Sequence, residues 1–151
     1  MKVKIQDIAD AVDFNSDMSQ SYLNIKTGEI CVYVDDELQA AENNEDVSGS
    51  PEWYREAVAK AKQYVDNPND YLYLPEKFDF NEYRVMEKFI SHVQKDEHAE
   101  ALFKAIKGKG AFHRFKAVLE RFSLTGQWYE YKNRQLQEFI EFWCKENDIE
   151  F

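Results

Sequence analysis

The residues best equipped for chemistry stand together in Lys107-Gly108-Lys109-Gly110-Ala111-Phe112-His113-Arg114-Phe115-Lys116. Two glycines one residue apart let the backbone turn freely, and a helical pattern starts directly after them. Free N–H groups at a helix start, beside Lys109 and near Arg114, suit a phosphate or a carboxylate. Arg114 and Arg121 are seven residues apart and share a flank of that helix, while Phe112, Phe115 and Leu119 lie on another. A structural reading competes with the chemical one. Gly108 fits the left-handed residue that follows a helix ending at Lys107, and Gly110 then belongs to the connecting turn. The segment is not a P-loop, since no G-x-x-x-x-G-K-[ST] is present.

Other reactive side chains form no recognisable catalytic pattern. His92, His98 and His113 stand in no metal-binding spacing and read as solvated surface histidines. Ser91 and Ser123 lack the G-x-S-x-G context of an exposed nucleophile. Asp35-Asp36-Glu37 follows a strand end but belongs to no D-x-[DN]-x-[DN]-G loop, so it reads as a solvated acidic patch. Glu82 and Glu87 are better placed as ion-pair partners of Arg114 or Lys109 than as an acid/base pair. Cys31 and Cys144 lie far apart, one in a predicted strand and one in a predicted helix, which favours two buried thiols over a disulfide or zinc site. No catalytic residue, metal ligand or cofactor follows from these patterns.

Composition narrows the function classes. The 151 residues are 44% hydrophobic and 32% charged, the balance of a globular chain. No apolar run approaches the roughly 20 residues that span a bilayer, and no apolar leader is visible, so a cytoplasmic protein is expected. The net charge of −10 disfavours broad nucleic-acid binding. The average conceals an asymmetry. Residues 1–100 carry 10 Lys/Arg against 22 Asp/Glu, whereas residues 101–134 carry 8 against 2. That basic island in an acidic chain is the strongest compositional clue.

The elements that must position these residues follow from periodicity. Ile5, Ile8, Ala9 and Val12 predict an amphipathic first helix. Tyr22 to Ile25 and Ile30 to Val34, around Lys26-Thr27-Gly28-Glu29, predict an antiparallel hairpin. Asp35 to Asp46 reads as a short helix or loop. Ser50 is expected to cap a helix whose first residue is Pro51 and whose apolar positions are Trp53, Tyr54, Ala57, Val58, Ala61 and Val65. Asp66 to Asp70 stops that helix, and Tyr71 to Leu74 should add a third strand. From Asp79 onward four helices are expected, with stripes Tyr83-Met86-Ile90-Val93, Ala99-Leu102-Phe103-Ile106 and Phe112-Phe115-Leu119-Phe122. The last helix should bury Trp128, Tyr129, Leu136, Phe139, Ile140 and Trp143. The fold class is α+β: a small antiparallel sheet of about three strands, N-terminal helices, and a C-terminal array of about four helices. One domain is expected over 1–151, mixed α/β over 1–78 and helical over 79–151.

Several of these segments together resemble a known family. Tyr71-Leu72-Tyr73-Leu74-Pro75, Glu82 to Ile90, Gly108 to Lys116 and Trp128-Tyr129-Glu130-Tyr131 are similar to uncharacterised protein family 0158 of bacteria. So are Tyr22-Leu23-Asn24 and Thr27-Gly28-Glu29-Ile30. The resemblance covers nearly the whole chain, with Gly-Lys-Gly-Ala-Phe as its specific part and His113 where members often carry a second arginine. It implies a bacterial cytosolic protein and no particular activity. It adds interest to Glu82, Tyr83, Arg84, Gly108, Lys109, Gly110, Arg114, Trp128 and Tyr129 as a cluster, and the residues expected to support the site are Glu82, Tyr83, Arg84, Glu87, Trp128 and Tyr129. The leading expectation is a non-enzymatic interaction or regulatory module. Its ligand-binding residues would be Lys107, Gly108, Lys109, Gly110, Arg114 and Arg121, facing an acidic protein segment or a phosphate-bearing ligand. A nucleic-acid-binding protein is the alternative, and an enzyme with a site between the Glu82–Glu87 helix and the Gly108 loop is the third.

Overall fold

The computed structural model describes residues 1–14 and 18–151, so part of the polar stretch Asn15 to Gln20 lies outside the described residues. The chain folds as α+β in two compact units, Met1–Lys77 with Ile140–Phe151, and Phe78–Phe139.

The first unit opens with α1 (Ile5–Phe14), which buries Ile8, Ala9 and Val12. Strands β1 (Ser19–Asn24) and β2 (Ile30–Val34) form the expected hairpin, Tyr22 opposite Cys31. Its turn is fixed by Asn24, whose Oδ1 accepts the Lys26 and Thr27 N–H groups at 2.9 and 3.2 Å, and by Gly28 at φ +80°. Only glycine takes that φ without strain. Strand β3 (Tyr71–Tyr73) pairs antiparallel with the other side of β1, in the order β2-β1-β3. As the central strand, β1 buries Ser21, Tyr22 and Leu23 in succession; edge strand β2 alternates, Cys31 and Tyr33 in, Val32 and Val34 out.

Helices α2 (Asp35–Glu42) and α3 (Glu52–Asp66) share a core with this sheet, through Leu38, Ala40, Ala41, Val58 and Ala61. Tyr22, Tyr33 and Tyr64 stack within it, the Tyr22 and Tyr64 ring centroids 4.3 Å apart. The Tyr64 hydroxyl donates to Tyr22 Oη at 3.0 Å, and Tyr33 donates to the Lys60 carbonyl at 3.3 Å. Helix α3 departs from expectation at its start. Pro51 is the cap and Glu52 the first helical residue, because the Pro51 carbonyl accepts from both Tyr54 and Arg55. Trp53, expected in the core stripe, is 67% exposed. Both thiols are free and buried.

The second unit contains most of the one-turn helix α4 (Lys77–Phe80), then α5 (Glu82–Ser91), α6 (Asp96–Ala105), α7 (Ala111–Arg121) and the first part of α8 (Thr125–Glu146). Asn81 caps α5 in a left-handed conformation, its side chain accepting the Arg84 N–H. The core joins Val85, Met86, Phe89, Leu102, Phe115 and Leu119 around Trp128, which meets Phe89 and Phe115 edge-on at 5.5 and 5.0 Å. Four aromatic residues assigned to apolar stripes are instead exposed: Tyr83, Phe103, Phe112 and Tyr129. Phe103, Phe112 and Tyr129 each follow a buried residue by one position, and one step turns a helix by about 100°, while Tyr83 lies two and three positions before the buried Val85 and Met86. Ala111, Phe115 and Leu119 take the core face of α7, which leaves Phe112 outside. Among the described residues no helix is long and apolar enough to cross a membrane.

Candidate functional site

The connection from α6 to α7 carries the Gly-Lys-Gly element. Helix α6 ends at Ala105, two residues before the expected end, and Gly108 and Gly110 both stand at φ +77°. Gly110 is the N-cap of α7, its carbonyl accepting the Arg114 N–H at 3.0 Å. The two glycines thus have separate geometric duties: Gly108 reverses the chain and Gly110 aims the helix.

Arg114 organises this loop. Its Nε donates to the Ala105 carbonyl at 3.0 Å, and its two terminal nitrogens donate to the carbonyls of Lys109 and Lys107. Three of the five guanidinium N–H groups are therefore spent on neutral backbone oxygens. The charge is positioned, and among the described residues no carboxylate pairs with it. With these three carbonyls gathered on the guanidinium, the N–H groups of Gly108, Lys109, Gly110 and Ala111 donate to no backbone acceptor among the described residues.

Around the loop lies an exposed basic face. Lys107, Lys109, Lys116 and Arg121 are all exposed. None forms an ion pair among the described residues, although Lys104 pairs with Glu100 at 3.2 Å one turn earlier. Lys107 Nζ sits 4.6 Å from the Phe103 ring centroid and the Arg121 guanidinium 4.6 Å from that of Phe122. Phe103, under Lys107, and Phe112, in the first turn of α7, are 48% and 45% exposed. The charge follows the fold: residues 78–139 hold 11 Lys/Arg, 9 Asp/Glu and all three histidines, while the rest of the chain holds 8 Lys/Arg and 20 Asp/Glu.

The supporting residues take separate positions. Glu82 pairs with Lys132 of α8 at 2.9 Å, not with Arg114 or Lys109 as expected. Tyr83 donates to the Ile106 carbonyl at 3.0 Å, tying α5 to the end of α6 beside Lys107. Trp128 is a core residue at 1% exposure, whereas Arg84, Glu87 and Tyr129 are exposed. Of this group, Tyr83 reaches the loop backbone and Trp128 packs on Phe115, next to Arg114 in sequence.

Two features escaped the sequence reading. His98, taken for a solvated residue, stacks on Phe122 at 3.9 Å and 18°. Ser123 sits at φ +56°, closing α7 with Leu124 N–H on the Leu119 carbonyl and Ser123 N–H on that of Glu120. That hydrogen-bond pair is the Schellman termination, where glycine is the usual occupant. A serine there gives no helix-stop signal in the sequence. Among the described residues no group of three or more His, Cys, Asp or Glu is placed to hold a metal ion.

The model of the Uncharacterised protein family (UPF0158) matches residues 1–151, and the chain belongs to that family. Neither a curated protein nor a solved structure matches the chain.

Proposed function

We propose that this protein is a non-enzymatic interaction module whose α6–α7 face docks an anionic partner, an acidic protein segment with interspersed apolar residues. The carrying observation is the set of four exposed cations, Lys107, Lys109, Lys116 and Arg121, that pair with no carboxylate among the described residues, with Lys107 over the exposed Phe103 ring and the exposed Phe112 one turn before Lys116 on α7. Unpaired surface cations attract an anion without first breaking an internal pair, and rings beside them add apolar contact. Arg114 holds the loop in shape and contributes charge rather than a free fork.

A second reading, single-stranded nucleic acid, gains from the same rings. An accessible phenylalanine beside lysines is a stacking platform. Fluorescence anisotropy of a labelled acidic peptide and a labelled single-stranded RNA, each at low and physiological salt, separates the two. The proposal expects salt-sensitive peptide binding that Lys109→Glu with Lys116→Glu abolishes. RNA binding that is tighter than peptide binding and lost in Phe112→Ala would favour the second reading. Absence of binding by either polymer at low salt overturns both.

A further inference from the structure

A cleft of about 360 Å³ opens in the second unit where the α5–α6 and α7–α8 connections meet. Its wall includes His92, Lys95, His98, Phe122, Ser123 and Gln127. No Asp or Glu lines it among the described residues, although acidic side chains outnumber Lys and Arg by 29 to 19 in the chain. Two of the chain's three histidines do. The cleft therefore offers hydrogen-bond donors of three kinds, ammonium, imidazole and amide, without a neutralising carboxylate.

The wall is built rather than incidental. His98 is fixed by its stack on Phe122, and the His92 ring lies 5.6 Å from that of Tyr131. Ser123, which lines the cleft, occupies the left-handed position that glycine fills at lower conformational cost, so the wall carries a serine where a bare backbone would end the helix equally well. The 22-residue helix α8 starts at this wall, directly after Leu124, and its positive end adds to the same field. The volume lies within the range of small-molecule sites, roughly 300–1,000 Å³.

We propose that this cleft is a binding site for a small, metabolite-sized anion bearing a phosphate or carboxylate group, adjoining the docking face at the end of α7, where Arg121 lies over the Phe122 ring. Lys95 supplies the counter-charge, His92, His98, Ser123 and Gln127 supply directed hydrogen bonds, and the Phe122–His98 stack forms the apolar floor.

The test is a titration of the full chain with inorganic phosphate, glycerol 3-phosphate and citrate, followed by NMR of the imidazole and glutamine side-chain signals. Saturable shifts of His92, His98 and Gln127, with half-saturation at about 1 mM or tighter, support the site, and the three probes tell phosphate from carboxylate. Ser123→Gly is the discriminating variant. It relieves the backbone and raises the unfolding midpoint, yet it should weaken binding about ten-fold by removing one hydrogen bond to a charged ligand. Lys95→Gln should weaken binding by at least as much, and neither change depends on the His98 stack for folding. The proposal is overturned by the absence of saturable shifts with every probe, by shifts confined to His113 on α7, or by Ser123→Gly binding as tightly as the natural chain.

Discussion

Replacing Arg114 by lysine keeps the charge and removes the fork, which isolates what the guanidinium does. Three donors now reach the carbonyls of Ala105, Lys107 and Lys109. An ammonium on a flexible stem can serve one of these at a time. Hydrogen bonds from charged donors contribute about 1.5–3 kcal/mol each when sheltered, and less where water competes. Arg114 is exposed, so the two lost bonds together should cost about 2 kcal/mol. For a chain of this length that corresponds to a fall in Tm of about 4–8 °C. Urea unfolding of Arg114→Lys measures the loss, and amide exchange of residues 107–111 locates it. Lys109→Ala and Lys116→Ala, which remove ammonium groups with no ion pair or hydrogen bond among the described residues, should stay within about 0.5 kcal/mol of the natural protein. An Arg114→Lys chain with an unchanged midpoint and unchanged loop exchange would refute the reasoning, since the guanidinium would then not be fastening the loop.

The two glycines of the loop should respond unequally. Both stand at φ +77°, but a Cβ on Gly108 meets nothing within 4 Å, whereas one on Gly110 meets Arg114 Nη1 at 3.0 Å. Gly108→Ala should therefore cost only the conformational strain, about 1–2 kcal/mol. Gly110→Ala should cost visibly more and loosen the same loop amides as Arg114→Lys; equal losses would be contrary evidence. The buried phenols give a pH dependence. Burial, reinforced at Tyr33 by the Cys31 thiol and at Tyr22 by Tyr64, raises both phenols above their ordinary value of about 10. A raised acid stabilises the fold fully below its unfolded pKa and ceases to do so as pH climbs toward its folded value. Stability should thus fall above about pH 10 by up to 1.4 kcal/mol per pH unit for each phenol. Urea midpoints taken across that range should fall less steeply in Tyr33→Phe, and an unaltered slope would show that Tyr33 is not shifted.

Much of this fold was legible because its signals are local. The hairpin is written in two β-rich runs around Gly28, and the third strand in Tyr71-Leu72-Tyr73 before a proline. The Gly108–Gly110 loop was legible for the same reason: two glycines interrupt a helical pattern. Less legible was which of two adjacent apolar residues faces the core. Trp128 and Tyr129 are both aromatic, and a rotation of about 100° decides between them through tertiary packing that no spacing records. The same ambiguity hid the exposure of Phe103 and Phe112, and with it the aromatic character of the basic face. Arg114 is singled out as a ligand residue by its charge, its place just after the glycine loop and its spacing from Arg121. Its engagement with three loop carbonyls depends on backbone oxygens, which every sequence possesses and none advertises. His98 was misjudged because its stacking partner, Phe122, is 24 residues away on another element.

The net charge is a poor guide to this surface for a related reason. It averages over 151 residues, while an exposed charge in physiological salt is felt over a Debye length of about 8 Å. An approaching anion therefore responds to the cations within a few side-chain lengths, and on α6–α7 these include Lys107, Lys109, Arg114, Lys116 and Arg121, none of them ion-paired among the described residues. The acidic residues that set the total lie mostly in the other unit, where they outnumber Lys and Arg by 20 to 8. Such a distribution favours a short anionic segment that fits within the basic face over a long polyanion that must run beyond it. It also makes ionic strength the natural control variable, since salt weakens attraction between exposed charges and leaves the buried aromatic core around Trp128 untouched.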